Sequence, residues 1–191
     1  MTLVAQRKPK LLIVEGDDDL YTVVELMKAH IGWPKEKKNA PVPIKAAGGV
    51  DKILEPGYLP VELRTTGVTL GIVLDADTTP GGRYESFRNL CIGTFPQLPK
   101  EMPPDGLITE NEDDKRLGLW IMPDNASEGA LETFLRFLIP ESSPALWELA
   151  TGSVTAAREL GASCRECHIE KANLYTWLAW QDLLDSLAVG R

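Results

Sequence analysis

The chain has 191 residues, 43% of them apolar and 25% charged, which is enough apolar material for one domain with a sizeable core. No stretch reaches the roughly 18 apolar residues that a membrane span needs, and the opening MTLVAQRKPK carries no long apolar segment, so one cytoplasmic domain over residues 1–191 with no membrane partner is expected. A net charge of −8 and a pI near 4.9 argue against a broad basic face for phosphate backbones, although carboxylates that hold divalent cations would reverse the field locally.

The first element is announced by LLIVEGDDDL, residues 11–20, where an apolar strand runs straight into Glu15, Gly16 and three aspartates. Apolar residues then recur at Leu20, Val23, Val24 and Met27, a helical spacing closed by Gly32 and Pro34. Gly16 lets the chain turn sharply and lets a phosphate or metal approach. Asp17 and Asp18 suit the start of a helix, whose dipole favours negative charge. Asp19, four residues after Glu15, can return to the same site as Glu15.

PVPIKAAGG reads as a short second strand and its turn, and GVDKILE and LPVELRTTG as short helical pieces. VTLGIVLDAD is the clearest strand, apolar too continuously for a face exposed to water. It ends in Asp75-Ala76-Asp77, and a D-x-D pair in extended backbone aims both carboxylates at one hard cation. TTPGGRY reads as a turn and ESFRNLCIG as a helix. Residues 93–114, rich in Pro, Asp and Glu, read as an irregular surface insertion.

RLGLWIMPDN is the next strand, followed by Asp124 and Asn125, which suit a metal or a turn equally. SEGALETFLRFLI reads as an amphipathic helix stopped by Pro140. In it Glu128 and Glu132 are four apart on one face, either a metal bracket or a solvated stripe, with Glu132 nearer the apolar side. Residues 144–191 supply two further helices expected to pack on the core. CRECH, Cys164 to His168, has the spacing of a covalent haem attachment, but with three cysteines and two histidines in all it completes no zinc site and reads as coincidence. Lys171 precedes an apolar helix, and a lysine near a phosphate can balance transition-state charge. Strands alternating with helices give an α/β fold with a mostly parallel sheet, its site at the carboxyl ends of the strands where Glu15, Asp75 and Asp124 fall.

The order Glu15-Gly16-Asp17-Asp18-Asp19, Asp75-Ala76-Asp77, Glu132 and Lys171 resembles the Toprim domain, most closely the nucleases of the overcoming-lysogenization-defect type, and a small bacterial family of stand-alone Toprim-like proteins. The resemblance spans roughly residues 10–181. It implies a Toprim-like, Rossmann-like sheet flanked by helices and a phosphodiester-cleaving site using Mg²⁺ or Mn²⁺. Glu15, Asp75, Asp77 and Lys171 would be catalytic, and Glu15, Asp19, Asp75, Asp77, Asp124, Glu128 and Glu132 would serve as metal-binding acids. DNA or RNA would be the substrate, a separate ABC- or AAA-type ATPase subunit a partner, phage defence a setting, and a homodimer is open. One departure is Ala130, where those nucleases usually carry serine. Other readings stay open. D-x-D-x-T at Asp75 also fits a haloacid-dehalogenase-like phosphatase, Asp18-Asp19 with Asp75 and Lys171 loosely echoes a receiver domain, and a Toprim-shaped binding module needs no catalysis.

Overall fold

Three apolar runs build the centre of the sheet. The computed structural model describes residues 10–34, 40–65, 69–140 and 144–181. Strands β1 (Lys10–Val14), β2 (Ile44–Ala46), β3 (Thr69–Asp75), β4 (Leu107–Glu110) and β5 (Arg116–Met122) form one sheet in the order β2-β1-β3-β5-β4. The pairs β2-β1, β1-β3 and β3-β5 are parallel, and β4 joins β5 antiparallel at the edge. This is a Rossmann-like α/β architecture, as the alternation of strand and helix patterns predicts.

Register explains which residues make the core. Leu11 and Ile13 pair with Leu70 and Ile72, and Leu70, Ile72 and Leu74 pair with Leu117, Leu119 and Ile121. Alternation along a strand puts all eight on one face, where they pack with Ile53 of helix α2 (Val50–Ile53), Leu59 and Leu63 of α3 (Tyr58–Thr65), and Tyr84, Phe87 and Cys91 of α4 (Pro80–Cys91). Phe87 is fully buried there, and its loss to alanine would cost about 3–5 kcal/mol through lost transfer energy and the cavity left behind. Helix α1 (Asp17–Ile31) buries Val23 and ends at Gly32, whose positive φ of 63° lets its amide bond back to the Met27 carbonyl.

Four local expectations change. The turn after β3 is shorter than TTPGGRY suggests, because Pro80 opens α4 at a helical position where a missing amide costs nothing. Residues 93–114 are not wholly irregular or superficial, since they contain β4 and send Phe95, Leu98 and Leu107 into the core. Asp77 is not extended but has φ 51°. The helix after β5 begins only at Leu131: α5 is Leu131–Phe137, which leaves Glu128 outside it.

The chain divides into two compact units, Met1–Leu131 and Glu132–Arg191. In the second unit α6 (Pro144–Glu159) packs with α7 (Ile169–Leu178), burying Ala150, Val154, Asn173 and Leu174. The last predicted helix is described only to residue 181, so its remainder, 182–191, lies outside the described residues. Among the described residues no helix is long and apolar enough to cross a membrane.

Candidate functional site

The site of the first unit is assembled at the carboxyl ends of β1 and β3. Glu15 follows the last residue of β1, and its main-chain carbonyl accepts the amides of Gly48 and Gly49, both at 2.9 Å. Both glycines have positive φ, 91° and 122°, which lets the chain after β2 fold over that carbonyl. The Glu15 side chain reaches across to β3, where its Oε1 accepts the Asp75 amide at 2.8 Å. Parallel pairing of β1 with β3 thus brings residues 60 positions apart into one hydrogen bond.

The Glu15 carboxyl is strongly perturbed. Its pKa is pushed up to about 7, first by burial, with Asp19 and Asp77 adding to the rise, and with the Asp75 amide and the Arg83 guanidinium opposing it. Asp19, itself buried, accepts the Gly16 amide at 2.9 Å. The capping contact therefore falls to Asp19 rather than to Asp17 or Asp18, and it completes the returning half of a capping box. Asp17 and Asp18 are exposed.

The D-x-D segment is tied down from both sides. Asp75 Oδ1 accepts the Leu131 amide at 3.1 Å and so fixes the start of α5. Asp77 exchanges two main-chain hydrogen bonds of 2.8 Å with Gly129, forming an isolated antiparallel bridge. With its left-handed φ, which aspartate tolerates better than most residues, Asp77 turns its carboxylate to Arg83. The guanidinium of Arg83 donates from Nε to the Asp75 carbonyl at 2.8 Å and from Nη2 to Asp77 Oδ2 at 2.5 Å.

The other predicted residues lie differently. Asp124 closes a turn on itself, accepting the Ala126 and Ser127 amides at 3.1 and 2.7 Å and the Ser127 hydroxyl at 2.9 Å. These bonds, the Ser127 amide first, hold its carboxyl below the usual range. Asn125 is buried beside it, donating to the Pro104 carbonyl and accepting the Ile121 amide. Glu128 is exposed and, lying before α5, shares no helical face with Glu132. Glu132 and Lys171 belong to the second unit, where they approach each other to 3.8 Å.

Glu15 therefore holds the Asp75 amide and lies within electrostatic reach of Asp19, Asp77 and Arg83, whose guanidinium bonds the Asp75 carbonyl and the Asp77 carboxylate. Oxygen donors of this kind suit a hard divalent cation, and the Glu15 carboxyl beside them is pushed up chiefly by its burial, with Asp19 and Asp77 adding to the rise. Among the described residues, however, no three acidic, histidine or cysteine side chains already stand in position to share one ion. Sequence reasoning missed Arg83. A signal for it was available, because a cation in the opening turns of a helix, as in PGGR, runs against the helix dipole and calls for a nearby acid.

A family model described as "Protein of unknown function (DUF3226)" matches residues 9–186. No curated protein and no solved structure matches the chain.

Proposed function

The chain belongs to the DUF3226 family, and from that premise we propose that it is a Toprim-like enzyme that hydrolyses phosphodiester bonds of nucleic acid with Mg²⁺ or Mn²⁺. One observation carries the reading: acids from separate segments, Glu15 with Asp19 and Asp75 with Asp77, meet at the carboxyl edge of a parallel sheet, where α/β proteins bind ligands. Asp75, Asp77 and Glu15 would hold the cation, with Asp19 supporting the turn between β1 and α1. When bound, the cation supplies Lewis acidity and lowers the pKa of a coordinated water. Glu15 contributes through its reach across the strands, since its Oε1 is held by the Asp75 amide. Gly48 and Gly49 leave open space beside it, with no atom within 4 Å of where a Cβ would stand, so a sugar-phosphate chain can pass close by. Cytoplasmic residence and a separate ATPase partner belong to the same proposal.

The test is direct. With Mn²⁺ the purified protein should nick plasmid DNA or cut single-stranded RNA, and Asp75→Asn and Glu15→Gln should each lower the rate by a hundredfold or more, on the order expected for loss of a metal ligand. Equal rates in Asp75→Asn and the parent protein would defeat the reading. A second reading, a binding module of the same shape without catalysis, is favoured by the ion pair that occupies Asp77. Calorimetric titration with Mn²⁺ separates the two, because the module takes up no ion.

A further inference from the structure

Arg83 is the residue that the metal reading does not absorb. Its side chain is only 16% exposed, against 59% for its partner Asp77, so the guanidinium is lodged in the fold while the carboxylate can move. Its Nε is held by the Asp75 carbonyl and its Nη2 by Asp77, so one planar cation spans the D-x-D turn. The main chain of Asp77 is fixed by its pair of hydrogen bonds with Gly129, so only rotation of the side chain can carry that carboxylate elsewhere. The same guanidinium also acts on Glu15, lowering its pKa.

We propose that Arg83 is the site's resident counterion: it holds Asp77 in place of a divalent cation and must release that carboxylate before the cation is taken up. The inference rests on the proposed metal site and adds a direction to it. A charge-assisted hydrogen bond has to break, and a fixed positive charge stands beside the incoming ion, so Arg83 weakens cation binding. Removing its charge should tighten binding by about tenfold at moderate ionic strength, while a lysine that keeps the charge should leave affinity near that of the parent protein.

The experiment is calorimetric titration of the full chain with Mg²⁺ at pH 8, for the parent protein, Arg83→Gln, Arg83→Lys and Asp75→Asn. Tighter binding in Arg83→Gln but not in Arg83→Lys is the expected result. Unchanged or weaker binding in Arg83→Gln, with binding still abolished by Asp75→Asn, overturns the counterion role and leaves the metal site standing. No binding in either the parent or Arg83→Gln, or binding indifferent to Asp75→Asn, removes the metal site and the counterion role together. Should Arg83→Gln fail to fold, guanidinium NMR of the parent protein decides: rotation about the Arg83 Cζ–Nη bonds should be slow without Mg²⁺ and fast at saturation. Rotation that stays slow at saturation overturns the inference.

Discussion

Replacing Glu15 by glutamine should make the first unit more stable at pH 8 and leave it unchanged near pH 4.5. The parent carboxyl rises from an ordinary 4.5 to about 7 on folding. Between those values the folded chain keeps a proton that the unfolded chain has lost, so stability falls as pH rises, and above pH 7 the whole penalty is present. At about 1.4 kcal/mol per pH unit a sealed group would lose about 3 kcal/mol. Solvent still reaches part of this side chain, and screening reduces the figure to about 1–2 kcal/mol. Glutamine carries no charge and its carbonyl oxygen can still accept the Asp75 amide now bound by Glu15. The assay is urea unfolding in a chelating buffer at pH 8 and pH 4.5, followed by amide exchange in β1 and β3, because two compact units need not unfold in one step. A Glu15→Gln protein no more stable than its parent at pH 8, or one whose gain persists unchanged at pH 4.5, would refute this account of the buried acid.

Asp124→Ala should cost about 1 kcal/mol at neutral pH by opening the turn that its carboxylate closes on Ala126 and Ser127. Because that carboxyl is held below its ordinary 3.8, the contribution is present above that pH and disappears as the pH falls through the lower folded value, which acid titration of the melting temperature would display; nicking by the variant should be unaffected. Gly106→Ala should destabilise by about 1–2 kcal/mol, since φ is +85° there and a Cβ would stand 3.2 Å from the Trp120 ring, and denaturant midpoints measure it. Lys171→Met should cost no more than about 1 kcal/mol, because its 3.8 Å contact with Glu132 and its approach to 5.7 Å of the Tyr175 ring are both partly exposed; a larger fall in stability, read from the denaturant midpoint, would refute this.

The centre of the fold could be read from the chain because its signals are local. LLIV, TLGIVL and RLGLWIM are apolar runs that only a buried sheet accommodates, and Gly32 stops α1 where its spacing ends. Strand β4 escaped because four residues with one inward side chain between prolines and acids look like a loop, and only pairing with β5 makes them a strand. The start of α5 escaped for a related reason, since it is set by the Asp75 carboxylate 56 residues away and not by a neighbouring cap. At the site, the meeting of Glu15 with Asp75 follows from two strand ends in a parallel sheet and was foreseeable. The cation in PGGR called for some nearby acid, but that Asp77 is the one was not foreseeable, because its backbone bridge to Gly129 carries no mark in either segment.

The double amide grip on the Glu15 carbonyl separates what the backbone needs at that position from what the side chain does. Two glycine N–H groups anchor residue 15 whatever it carries beyond its Cβ, so the strand's path is insulated from the chemistry at its tip. A substitution at position 15 can then change the charge at this sheet edge without removing those two hydrogen bonds. Charged and neutral versions of one architecture are thereby only one substitution apart.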